Sequence, residues 1–355
     1  MKMDMQGMFR KMVEKNVSDL HITAYTPMRF RIDERLVPID DHALNPDEAR
    51  QVVYSLLTKE QIKKFEEDLE LDFSFDVADL ARFRVNVYMQ RSNVGCAIRL
   101  IPYEIMTFEQ CGLPVKVVTG LCRKQKGLVL VTGATGSGKS TTLAAMVDLI
   151  NNERPCHVIT IEDPIEFVHK NKKAVVEQRE VYRDTRSFGD ALKHVLRQDP
   201  DVILIGEMRD LETIESALVL AETGHLVLAT LHTSDSVQTI NRIVDVFPSH
   251  QQQQIRTQLS FVLSGIISQQ LIPKTQGPGR VLATEIMMAT NAVRSLIREG
   301  KIHQMYSVIQ TSQKDGMQTM DQVLVDLHNS GIISREDAML RASFPDDVAK
   351  ALMRR

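Results

Sequence analysis

Residues 128–143, reading L-V-L-V-T-G-A-T-G-S-G-K-S-T-T-L, constrain this chain more than any other stretch. An apolar strand, a glycine-rich turn and the opening of a helix follow one another there. Gly133, Gly138, Lys139 and Ser140 satisfy the pattern G-x-x-x-x-G-K-[ST]. The glycines let successive backbone N–H groups converge on a phosphate oxygen, and the helix start adds its positive dipole end at the same point. Gly133, Ala134, Thr135, Gly136, Ser137, Gly138, Lys139, Ser140 and Thr141 are therefore the expected binding set for a nucleoside triphosphate. Within it, Lys139 reaches the β- and γ-phosphates and the Ser140 hydroxyl ligates a magnesium ion.

The rest of the chain has room for a second domain, since 355 residues can bury two cores. A net charge of -3 gives no global pull toward nucleic acid or anionic lipid. Cys96, Cys111, Cys122 and Cys156 are widely spaced and include no C-x-x-C pair, so neither a disulfide framework nor a zinc site is expected. No run of about eighteen apolar residues and no leader-like start are present, which predicts a cytoplasmic protein.

Before the loop, the pattern is that of a small α+β domain over residues 1–101. Residues 4–15 suit a helix and 18–39 a strand pair. Asn45-Pro46-Asp47-Glu48 opens a capped helix that ends before the strand-like E-L-D-F-S-F-D-V. Residues 82–89 alternate, with Arg82, Arg84, Asn86 and Tyr88 on one face and Phe83, Val85, Val87 and Met89 on the other. Residues 94–101 supply a further strand. The broken pattern of 102–114, with two prolines and a glycine, reads as a linker. From 115 to 355 strand, turn and helix repeat, which implies a parallel sheet covered by helices.

In open parallel sheets ligands bind outside the carboxyl ends of the strands. Besides the loop strand, three apolar runs deliver polar residues there: 157–161 precedes Glu162 and Asp163, 202–205 precedes Gly206 and Glu207, and 226–230 precedes Leu231 and His232. Glu207 follows its strand as a Walker B acid does, close to the metal; Asp163 is a second candidate metal neighbour. One acid near the metal and another facing the attacking water is what hydrolysis needs, and the residues alone leave the roles of Glu162 and Glu207 open. His232 is the candidate for contacting the γ-phosphate. His225, seven residues earlier and roughly 23 Å away in extended chain, belongs at the opposite edge. The developing charge also requires a cation. Arg82, Arg84 and Arg99 either complete the site from the first domain or form a solvated polar face.

These residues together resemble a family. The Walker A segment, I-T-I-E-D-P-I-E-F-V-H (159–169), D-V-I-L-I-G-E-M-R-D (201–210) and T-G-H-L-V-L-A-T-L-H-T (223–233) stand in the order of the four boxes of the type II and type IV secretion ATPases. A-V-R-S-L-I-R-E (292–299) is similar to the A-I-R-N-L-I-R-E motif of the pilus-retraction branch, departing at Val293 and Ser295. The segment also reads as a helix capped by Thr290 and closed by Gly300. The absence of a tetracysteine module favours the same branch over pilus assembly or type II secretion.

The resemblance implies a RecA-like P-loop ATPase core behind a smaller PAS-like α+β domain, assembled as a homohexamer that uses ATP and Mg2+. It assigns water activation to Glu162, a place near magnesium to Glu207, and completion of the site to first-domain arginines. Its expected partners are an inner-membrane pilus platform protein and, indirectly, the pilin polymer, whose retraction gives twitching motility. A RecA-like ring can also translocate nucleic acid; the acidic balance and the missing basic–aromatic interleaving speak against that use.

Overall fold

The computed structural model describes residues 4–15, 17–32, 35–77, 80–101 and 104–353. The chain divides into two compact units, Met1–Glu104 and Ile105–Arg355.

The first unit is built on an antiparallel six-stranded sheet. Its strands are β1 (Asp19–Ile22), β2 (Arg29–Ile32), β3 (Arg35–Pro38), β4 (Glu70–Val77), β5 (Ala81–Gln90) and β6 (Asn93–Ile101), in the order β3-β2-β1-β6-β5-β4. The alternation expected over 82–89 holds from Phe83 to Val87: Phe83, Val85 and Val87 are fully buried, with Phe83 stacked on Phe75 and tilted against Phe9, while Arg82 of the opposite face is itself buried and Met89 is half-buried. The segment 18–39 holds three strands rather than a pair, because the chain reverses twice within it. The helix opened by the Asn45–Glu48 capping box ends at Tyr54, and a second, Lys59–Asp68, restarts from a Thr58–Gln61 box. The second box satisfies orphan amide groups that a continuous helix would not have exposed.

Pro102 and Tyr103 of the expected linker lie outside the described residues. From Ile105 the segment packs on the second unit: Thr107 caps the short helix Phe108–Cys111, and Phe108 and Leu113 are buried against Leu121 and Met146. Two apolar anchors too few to make a period explain why the segment reads as structureless.

The second unit holds seven strands: β7 (Gly127–Thr132), β8 (His157–Glu162), β9 (Val175–Glu180), β10 (Val202–Ile205), β11 (Leu226–Leu231), β12 (Leu263–Pro273) and β13 (Arg280–Met288). Their order is β13-β12-β7-β11-β10-β8-β9, parallel except for the β12–β13 pair. One strand, β11, is thus inserted between the loop strand and the strand that carries Glu207. Both β7 and β11 are buried along their whole length, as near-continuous apolar runs in a parallel sheet should be. The helices Val115–Cys122 and Lys139–Glu153 cover one face. Leu211–Glu222, Ser236–Asp245 and Gln252–Val262 cover the other. Among the described residues no helix is long and apolar enough to cross a membrane.

Two charged side chains organise the C-terminal part. Glu285 of β13, 3% exposed, accepts the Ser236 N–H at 2.8 Å and also the Met320 N–H. It therefore serves the starts of two helices, Ser236–Asp245 and Met320–Asn329. The helix expected between Thr290 and Gly300 is Asn291–Glu299, with Val293 and Ile297 buried. Arg294 does not lie along its solvent face. Its guanidinium donates to the carbonyls of Ser260, Phe261 (2.8 Å) and Leu263 (2.9 Å) at the end of Gln252–Val262, and to that of Ala289 (3.0 Å) just before its own helix. A cation there meets the negative end of that helix and satisfies carbonyls the helix leaves open. Arg294→Ala should therefore destabilise the second unit by roughly 3 kcal/mol in thermal or denaturant unfolding. Arg294→Lys should recover only part of this, since an ammonium cannot fork across the same carbonyls.

Candidate active site

The glycine-rich loop leaves β7 at Thr132 and enters the helix Lys139–Glu153. Gly133 has φ +142°, and a Cβ there would lie 2.4 Å from the Gln269 carbonyl oxygen and 2.6 Å from Ser137 Oγ. Only glycine fits. Gly138 precedes the helix with φ +91° and no side-chain cap, so no side chain claims the amides of the first turn. Lys139 is 9% exposed; its Nζ donates to the carbonyls of Gly133 (2.8 Å) and Ala134 (2.9 Å), inside the loop curve. Burial holds its ammonium below the usual lysine range, partly offset by the charges of Glu207 and Glu166. Uncapped amides, a loop entrance at Gly133 with no room for a Cβ and an inward ammonium together suit a polyanion.

The expected strand ends come level beside this loop. Ile205 of β10 pairs with Ile161 of β8 and with Ala229 of β11, and Ala229 pairs with Leu130 of β7. Gly206 sits so close to β8 that a Cβ would be 3.1 Å from the Ile161 carbonyl and 3.2 Å from Glu162 Cα. Glu162 and Glu207 thus stand on adjacent strand ends.

Their environments differ. Glu162 accepts hydrogen bonds from Thr160 Oγ1 (2.7 Å) and Gln178 Nε2 (3.2 Å), yet burial pushes its carboxyl up to about 7. Glu207 is also partly buried, but Arg209 Nη2 lies 2.8 Å from one oxygen and His232 Nε2 3.0 Å from the other. These contacts outweigh desolvation and hold it below the ordinary carboxylate range. Asp163 is exposed, next to Glu162, and its charge is felt by Arg209. His225 lies at the start of β11, its Nδ1 3.0 Å from the Leu220 carbonyl.

The arginines of the first unit lie on its sheet. Arg82 is buried, donating to Ser74 Oγ (2.7 Å) with Asp76 at 3.6 Å. Arg84 and Arg99 are directly opposite each other on β5 and β6, and Arg99 pairs with Asp19 at 2.9 Å. Arg209, Thr160 and Gln178 escaped the sequence reading. Arg209 had a signal, two residues beyond Glu207; Gln178 had none, because β9 is a polar edge strand without a period.

Fold and loop define a P-loop ATPase. A family model described as "Type II/IV secretion system protein" matches residues 1–339, and the chain belongs to that family. It is 50% identical over 345 residues to the type IV pilus retractation ATPase PilT of Pseudomonas aeruginosa, covering 97% of this chain and 100% of that one. It is 46% identical over 331 residues to a twitching motility protein of Neisseria gonorrhoeae, covering 93% of this chain and 88% of that protein. Its fold is similar to the crystal structure of the pilus retraction motor PilT with bound ADP, at TM-score 0.92 and 49% identity, covering 98% and 100% of the two chains.

The raised carboxyl has a consequence for stability. Above its ordinary value of 4.5, an unfolded Glu162 ionises while the folded one resists until about 7, so folding loses free energy across that window as pH rises. Glu162→Gln should gain stability relative to the parent between pH 5 and about 7 and then level off, as followed by denaturant midpoints.

Proposed function

We propose that this ATPase is the hexameric motor that powers type IV pilus retraction, working in the cytoplasm against an inner-membrane platform protein and, through it, the pilin polymer. Similarity to PilT along the whole chain supports the process. For the chemistry, one observation carries the reading: two carboxylates on adjacent strand ends, one raised toward neutrality and one held ionised. Environments that push paired groups apart mark different tasks in acid–base chemistry.

In this reading the amides of residues 133–141 and the Lys139 ammonium hold the phosphates of ATP. The donors offered to a metal, Ser140, Glu207 and Asp163, are all oxygens, which suits Mg2+. Among the described residues no group of three His, Cys, Asp or Glu could hold a metal by itself. That fits an ion bound through one or two carboxylates and the phosphates of its nucleotide, where it offsets their charge. Glu162 orients the attacking water and takes its proton; a base near 7 balances ionisation against proton affinity at working pH. His232, fixed by Glu207, faces the γ-phosphate. Arg84 supplies the cation from a first unit of the ring, while Arg99 opposite it is paired with Asp19 and Arg82 is engaged with Ser74 and Asp76.

Turnover should rise with pH through about 7, because the base must be ionised, and Thr160→Val should move this limb upward by removing a donor that favours the charged form. Glu207→Gln should abolish hydrolysis while ATP binding survives; an unchanged rate would remove Glu207 from the site. Deletion of the gene should leave cells with excess surface pili and no twitching, whereas bald cells would indicate an assembly motor.

A further inference from the structure

Gln269 lies inside β12, 1% exposed, within the run L-S-G-I-I-S-Q-Q-L-I-P. Its Nε2 donates to Thr142 Oγ1 at 2.7 Å, one turn into the helix Lys139–Glu153. Its own backbone carbonyl is the oxygen that leaves Gly133 no space for a Cβ. One residue therefore touches the loop on both sides, at Gly133 where the chain leaves β7 and at Thr142 where the helix is established. The preceding residue reinforces the contact, since Thr132 Oγ1 donates to Ser268 Oγ at 2.9 Å.

This arrangement is costly as core packing. Gln269 Oε1 is buried and has no hydrogen-bond partner among the described residues. A buried amide with half its capacity unmet costs free energy that a leucine of similar size would avoid. The gain has to lie in what the other half holds.

We propose that Gln269 is a positioning residue of the phosphate loop. By fixing Thr142 relative to Gly133, it keeps the loop amides and the Lys139 ammonium in one geometry; the inference rests on the nucleotide site argued above. Gln269 itself reaches neither the phosphates nor the attacking water. It acts through the helix start, so its loss weakens nucleotide holding more than the chemical step.

The test uses the full-length chain, with ATP turnover and equilibrium binding of MgADP measured for the parent, Gln269→Leu, Thr142→Val and the double variant. Each single change should raise the KM for ATP and the Kd of MgADP about tenfold, with kcat within about twofold. The double variant should be no worse than either, since both changes cut the same bond. If both constants stay within about twofold of the parent, or if the two effects add, Gln269 is core packing and the inference is overturned. A lowered unfolding midpoint with unchanged KM has the same meaning. Should Gln269→Leu fail to fold, Thr142→Val, which exchanges one hydroxyl for a methyl group, carries the measurement. A parent protein that neither binds nor hydrolyses ATP would instead overturn the functional reading itself.

Discussion

The site depends on the parallel register of β7, β11, β10 and β8. Leu130, Ala229, Ile205 and Ile161 form one continuous row of paired residues, so the first polar residues beyond that row emerge at one edge. A slip of one residue in any pairing would turn that strand's side chains to the opposite face. The register is held by apolar strands buried on both faces, with no help needed from the polar residues at their ends. Those residues are then free to sit in environments that stability alone would not favour, as the carboxyl of Glu162 does.

Much of this was legible in the sequence, for a physical reason. Strands buried on both faces must be apolar throughout, so β7, β8, β10 and β11 announced themselves as short apolar runs ending in polar residues. The glycine pattern and the Asn45–Glu48 capping box were legible because backbone geometry admits few residue types there, whereas the Thr58–Gln61 and Thr107–Gln110 boxes were not read. What failed to appear lacked such a local constraint. The edge strand β9 is polar, and β12 continues without a breaker from the helix Gln252–Val262.

Side-chain direction was the other blind spot. The caps at Thr290 and Gly300 made the helix legible, but nothing in it showed that carbonyls of another helix lie beneath Arg294. The same holds at the two strand-end carboxylates. Position on a strand end located Glu162 and Glu207, whereas their opposite shifts come from the burial of Glu162, which its bonds to Thr160 and Gln178 only partly offset, and from Arg209 and His232 beside Glu207. Nothing in the spacing of those residues encodes the difference.

Glu285 lets the fold join distant parts of the chain through one group. A single carboxylate serves as acceptor for the start of the helix that follows His232 and for the start of the helix at Met320. If either helix moved alone, a buried amide or a buried carboxylate would be stranded. The two helix starts are therefore tied to one acceptor, and displacing either away from the other is opposed by the cost of stranding a buried polar group.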